Sequence, residues 1–199
     1  MKWMYRFFLL LTWPFISLFY PRKTAGRENI PAGAALLCGN HSSGFDPFLM
    51  AYSGGVGNQI RFMAKAELFR IPVVAPLLRS IGTFPVDRAG GAGAIKEAMR
   101  YLKAGEKVGI FPEGTRFSAE GESEAKIGAV RLAAKMAVPV VPVYIPRKKR
   151  LFRRLYIVFG EPYMIEADRK TATSADYEAL AAEMMEKIRL LGESGDKTS

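Results

Sequence analysis

The sequence predicts an α/β fold: a mostly parallel sheet covered by helices, with an N-terminal apolar helical segment serving as a membrane anchor. Three observations lead there. From residue 24 onward, short apolar runs rich in β-branched and aromatic residues alternate with stretches of helical spacing, the order that builds a sheet with helical crossovers. No internal repeat or low-complexity linker divides the chain. Ahead of this lies a run that is apolar from Phe7 to Tyr20 and bracketed by Lys2, Arg6, Arg22 and Lys23. The expected organisation is a membrane-anchoring segment over 1–23, one α/β domain over 24–192 and a frayed tail over 193–199.

Each element has its own reason. A spanning helix needs about 20 apolar residues. The N-terminal run is shorter, and Pro14 removes a helical hydrogen bond inside it. FYPRK makes a poor signal-peptide cleavage site. Trp3, Tyr5, Trp13 and Tyr20 suit a lipid interface, as do the flanking cations. The reading is a kinked helix lying in one leaflet, with a short true span as the alternative. After Pro21, AALLCGN, QIRFMAK, GTFPV, EKVGIFP, VPVVPVYI and LYIVFG read as strands. AIKEAMRYLKAG reads as a helix closed by Gly105, and SEAKIGAVRLAAKM as one closed before Pro139. Ser174 or Asp176 caps a last helix, whose Tyr177, Leu180, Ala181, Met184, Ile188 and Leu191 form one core-facing stripe.

Composition narrows the function classes. At 199 residues and 49% apolar, the chain is a folded single domain and not a disordered one. A net charge of +10 suits an anionic partner: nucleic acid, anionic lipid, or a phosphorylated or acidic substrate. The one cysteine, Cys38, excludes an internal disulfide and a cysteine-based zinc cluster. It lies in an apolar run, where a thiol is buried and inert. The lack of disulfides fits a reducing compartment.

The chemistry concentrates in loops that follow strands, where sites form in α/β sheets. GNHSSGFDPF, residues 39–48, holds the only histidine, His41, with Asp46 five positions on. A carboxylate on one ring nitrogen fixes the tautomer and steadies the imidazolium that forms when the other takes a proton. Spacing alone leaves a second reading open, in which Asp46 only caps the helix begun by Pro47 and His41 is a loop residue. Ser42 and Ser43 adjoin the histidine, yet the chain has no G-x-S-x-G elbow. One histidine and one cysteine do not make a metal site. FPEGTR, residues 111–116, looks like an anion cradle. Gly114 admits close backbone approach, Arg116 offers a planar fork for phosphate oxygens, and Arg88 of the preceding VDR supplies a second. Glu113 accepts from a hydroxyl or holds an arginine.

Together NHSSGFDP, FPVDR, FPEGTR and VPVVPVYI, in that order, resemble the four sequence blocks of the glycerolipid acyltransferases, closest to the bacterial 1-acyl-glycerol-3-phosphate acyltransferases. AKAELFRIPVVAPLLRSIG and the late FGEP are similar too, so the likeness covers about Arg27 to Pro162. The resemblance implies a catalytic pair at His41 and Asp46. It implies glycerol-phosphate binding by Glu113, Gly114, Thr115 and Arg116, with Arg88 assisting and Lys126 near the phosphate. The implied reaction moves a fatty acyl chain from acyl-CoA or acyl carrier protein to lysophosphatidate, giving phosphatidate, with no cofactor beyond that co-substrate. A same-family enzyme with another acceptor, such as glycerol-3-phosphate or a lysophospholipid, is the nearest alternative.

RKKRLFRR, residues 147–154, carries six basic residues and no acid. Behind an apolar anchor it reads as a surface for an anionic membrane or an acidic carrier sooner than for nucleic acid. The expected location is the cytoplasmic face of the cell membrane. A non-catalytic membrane-surface or nucleic-acid-binding protein using this basic face is the reading from a different class.

Overall fold

The computed structural model describes residues 2–86, 91–112, 127–167 and 171–196. Among the described residues seven strands form one sheet in the order β1-β7-β6-β2-β5-β3-β4. They are β1 (Arg22–Ala25), β2 (Ala35–Gly39), β3 (Ile60–Lys65), β4 (Phe84–Val86), β5 (Lys107–Ile110), β6 (Val140–Tyr144) and β7 (Leu155–Phe159). All neighbours are parallel except β6 and β7, which pair antiparallel through Val143↔Phe159 and Tyr144↔Val158. β1 and β7 therefore run opposite to the other five strands, and both start at the edge where the others end.

β2 is central and buried along its whole length, which is why its sequence is a continuous apolar run. Its side chains alternate between two cores. Ala35 and Leu37 join one core with Ile60, Phe62, Val143, Ile157 and Phe159. Leu36 and Cys38 join the other with Val108 and Val140. The second core is closed by α4 (Gly91–Lys103), α5 (Ile127–Met136) and α6 (Ser174–Asp196). In α6 the expected stripe faces inward: Ala181, Met184 and Ile188 are buried, with Tyr177 and Leu180 packed beside them. Its start is set by a reciprocal pair, Thr173 N–H to Asp176 Oδ2 (2.7 Å) and Asp176 N–H to Thr173 Oγ1 (3.3 Å), so Thr173 joins Asp176 as the capping residue. The helix continues to Asp196, into the expected tail.

The first core is closed by α1 (Lys2–Phe19) and α2 (Asp46–Gly54). α1 passes through Pro14 as one helix. It is part of the domain's packing and not a detached segment: Tyr5 and Leu9 are buried, and the Thr12 hydroxyl bonds that of Tyr52 on α2. Arg22 lies with its guanidinium 4.2 Å from the Trp13 ring centre and 5.2 Å from that of Tyr52, fastening the helix to the sheet's start. The opposite face, Trp3, Phe7, Leu10, Leu11, Phe15 and Leu18, is exposed. No helix among the described residues is long and apolar enough to cross a membrane, so the alternative of a short span finds no support.

β1 and the short helix α3 (Val74–Ser80) are elements that the apolar pattern does not announce. β1 reads RKTA and sits at the sheet's edge, where pairing on one side suffices to hold a polar strand.

Candidate active site

The site is built where β2 leaves the sheet. Gly39 ends the strand with Met50 of α2 so close that an added Cβ would come within 2.7 Å of its side chain. Asn40 follows, 3% exposed. Its Nδ2 donates to the Ile145 carbonyl at 2.7 Å and its Oδ1 accepts the Ile145 N–H at 2.9 Å. Ile145 directly follows β6, so this double bond ties the ends of two neighbouring strands together. A buried amide satisfied at both ends is a rigid platform for the residue after it.

That residue is His41. Its Nδ1 lies 2.9 Å from Asp46 Oδ2. The same oxygen accepts the N–H groups of Ser42 (2.7 Å) and Ser43 (2.8 Å). The other oxygen, Oδ1, is 2.7 Å from Lys149 Nζ. The ring of His41 stacks on Phe111, 4.3 Å between centres and 23° between planes. Phe111 is the first residue beyond β5. Three adjacent strands, β5, β2 and β6, thus deliver the stacking ring, the imidazole and the lysine-bearing segment to one edge.

Asp46 occupies the first turn of α2 but does not serve as its cap. The cap position is Phe45, without a side-chain bond, and the Asp46 carboxylate turns back onto residues 41–43. The reading in which Asp46 only caps the helix is therefore not the one the geometry supports. Burial alone would push its carboxyl group up. Hydrogen bonds from His41 and Lys149, the charge of Lys149 and the Ser42 N–H outweigh that and hold it below the usual carboxylate range. An ionised carboxylate can only accept, so Nδ1 of the ring carries a hydrogen toward it. The imidazole side chain is 17% exposed and that of Asp46 1%, so the ring reaches the surface while the carboxylate beside it does not.

The neighbouring serines are turned elsewhere. Ser42 Oγ donates to the Arg147 carbonyl (3.3 Å) and accepts from Lys149 Nζ (2.6 Å), and Ser43 Oγ accepts the Phe45 N–H (3.2 Å). Cys38 lies fully buried beneath the site, its thiol pushed far up by burial.

Arg88, Glu113, Gly114, Thr115, Arg116 and Lys126 lie outside the described residues. The strands that lead into them are described: β4 ends at Val86 and β5 at Ile110, both parallel to β2, so the chain leaves at the edge that carries His41. At about 4.8 Å per strand, the end of β4 is roughly 14 Å from that of β2. Among the described residues no group of three or more His, Cys, Asp or Glu gathers as metal ligands would.

Three contributors were not singled out from sequence. Asn40 and Phe111 stand inside the quoted motifs, but nothing in their spacing reveals a cross-strand bond or a stacked ring. Lys149 belongs to the basic run, which hides the one cation that points inward.

Comparison with known proteins gives a consistent picture. A sequence model of the family described as Acyltransferase matches residues 22–146. A 1-acyl-sn-glycerol-3-phosphate acyltransferase of Bacillus subtilis is 36% identical over 146 residues, covering 70% of this chain and 72% of the relative. A chloroplastic 1-acyl-sn-glycerol-3-phosphate acyltransferase of Brassica napus is 32% identical over 143 residues, covering 68% of this chain but 41% of that longer protein. The crystal structure of the 1-acyl-sn-glycerophosphate (LPA) acyltransferase PlsC from Thermotoga maritima matches with a TM-score of 0.71 at 25% identity, over 96% of this chain and 78% of that one.

Proposed function

Because the chain belongs to the 1-acyl-sn-glycerol-3-phosphate acyltransferase family and is an acyl-transferring enzyme, we propose that it converts lysophosphatidate to phosphatidate with His41 as general base. The observation that carries this is the 2.9 Å contact between His41 Nδ1 and Asp46 Oδ2. With the carboxylate on Nδ1, Nε2 is the ring nitrogen assigned to take the proton of the substrate hydroxyl. The free glycerol hydroxyl gives its proton to Nε2 as its oxygen attacks the carbonyl of an acyl thioester on coenzyme A or acyl carrier protein. The tetrahedral adduct collapses with loss of the thiolate, which takes the proton back from the imidazolium. A thioester is already activated, so no acyl-enzyme is needed, in keeping with serines that are bonded away from the ring. Asp46 steadies the transient imidazolium. Stacking on Phe111 holds the ring plane.

The substrate phosphate is assigned to Arg88 and Arg116, with the backbone about Glu113, Gly114 and Thr115 and the ammonium of Lys126 completing the cradle. Support comes from the parallel exits of β4 and β5 at the edge that carries His41. Leaflet contact is assigned to the exposed apolar face of α1 and to the basic run 147–154, at the cytoplasmic face of the membrane, where anionic lipid adds about 1 kcal/mol for each nearby cation.

The test is acyl transfer by purified protein to lysophosphatidate, glycerol-3-phosphate and lysophospholipids, with each thioester donor and product analysis. Phosphatidate is the expected product. His41→Ala should lower kcat by ~10²–10⁴ with an unchanged melting curve. Full activity in that variant would reject the base assignment.

A further inference from the structure

The basic run after β6 has two opposite sides. Lys149 turns inward, its side chain 7% exposed, with Nζ 2.7 Å from Asp46 Oδ1 and 2.6 Å from Ser42 Oγ. Two positions later Leu151 and Phe152 turn outward, 55% and 62% exposed. The segment is fastened at both ends. Near its start the Arg147 carbonyl accepts from Ser42 Oγ. Near its end the Phe152 N–H donates to the Phe19 carbonyl at 2.8 Å, and the two rings lie 5.6 Å apart. Phe152 has φ 62, a left-handed backbone that bulky residues avoid, and it is held there by this attachment to the end of α1.

The outward side continues the apolar face of α1. Phe15, Leu18 and Phe19 are exposed there, and Leu151 and Phe152 extend the same surface past the helix end. Arg147, Lys148, Arg150, Arg153 and Arg154 flank the two apolar residues in the chain, all exposed and with no acid among them. An apolar tip flanked by cations matches the chemistry of an anionic leaflet, with hydrocarbon for the tip and phosphate for the cations.

We propose that residues 147–154 form a strap that couples leaflet contact to the catalytic pair: Leu151 and Phe152 enter the lipid, and Lys149 is the positioning residue that holds the Asp46 carboxylate on His41. The coupling rests on the acyl-transfer reading above. It is mechanical. One residue separates the buried lysine from the apolar tip, so a tip seated in lipid fixes the backbone that carries the lysine. Among the described residues the charged or titratable side chains set against Asp46 are His41 from its own loop and Lys149 from the strap.

Two variants separate the two halves. Both are assayed with lysophosphatidate in vesicles of equal parts phosphatidylcholine and phosphatidylglycerol, and with a short-chain, water-soluble lysophosphatidate. Lys149→Met should bind vesicles as the wild type does, keep its KM and lose about 10²-fold in kcat on both substrates, as expected for a misplaced base. Its acid limb of kcat/KM against pH should move to higher pH, because the carboxylate has lost a cation. Should this variant not fold, Lys149→Arg keeps the cation, and its acid limb should stay at the wild-type position. A wild-type profile in Lys149→Met, or an acid limb displaced in Lys149→Arg, overturns the positioning role.

Leu151→Ser/Phe152→Ser should sediment less with vesicles and show a lower kcat at saturating vesicle concentration, with wild-type kinetics on the soluble substrate. Wild-type kcat on saturating vesicles overturns the coupling, and unchanged sedimentation overturns the leaflet contact. Wild-type protein that transfers no acyl group to any acceptor defeats the functional reading and the coupling with it, while sedimentation still decides the contact.

Discussion

Replacing Asp46 by Asn removes one negative charge from the point where four donors meet: His41 Nδ1, the N–H groups of Ser42 and Ser43, and Lys149 Nζ. Asn offers one acceptor oxygen and one donor amide. If the oxygen keeps the three donors that Oδ2 now serves, the amide faces Lys149 and two donors meet with no acceptor. The flipped amide is worse, because it faces three. The loss therefore falls on Lys149, whose side chain is too buried to rehydrate in place. Breaking one half of a buried ion pair costs about 3–5 kcal/mol, against a total of about 5–15 for a domain. The same change should lower kcat by ~10²–10⁴. The pH dependence has a definite sign. The folded-state pKa of Asp46 is depressed, so its contribution is complete above the unfolded value near 3.9 and is lost as pH falls through the folded value. Urea denaturation at neutral pH should show the full gap between wild type and variant, and the gap should narrow below about pH 4. A gap under about 1 kcal/mol at neutral pH, or one of equal size in acid, would refute the claim that an ionised Asp46 organises this site.

Other outcomes follow from the same geometry. Asn40→Ala leaves the Ile145 N–H and carbonyl unpaired in the interior, so urea denaturation should show a loss of about 1–3 kcal/mol, accompanied by a fall in kcat. Cys38 should resist thiol reagents in the native protein and react at once in denaturant, since burial raises its pKa and closes access. Serine at Phe7, Leu10, Phe15 and Leu18 together should reduce vesicle sedimentation without lowering the melting temperature. Deleting residues 1–20 should lower both, because Tyr5 and Leu9 are core residues.

The sheet was legible because its strands are apolar on consecutive positions. ALLCG and VVPVY form central strands buried on both faces, and no polar residue interrupts them. β1 was not legible, because an edge strand of two cations, a threonine and an alanine owes its place to the preceding helix and to β7. The His41–Asp46 pair was half legible: the two lie five positions apart, yet that spacing left Asp46 open as a helix cap, and only the ordered motif blocks favoured the pairing. Lys149 was not legible, since it reaches Asp46 across 103 positions of sequence and sits in a run whose other cations face solvent. The N-terminal helix was half legible. Its apolar character showed in the sequence, but the division between Tyr5 and Leu9 inside and Phe7, Leu10 and Leu11 outside depends on the sheet it meets.

The turn of direction between β6 and β7 settles at which rim the first helix ends. Because β1 runs parallel to β7, the first helix hands over to the sheet on the imidazole's side. Had this pair run with its neighbours, the two would stand at opposite poles, a strand length of roughly 17 Å apart. Two reversed strands bring the last turn of the apolar helix and the imidazole to the same rim, which is where the proposed lipid substrate would have its head beside the ring while its tail stays with the helix.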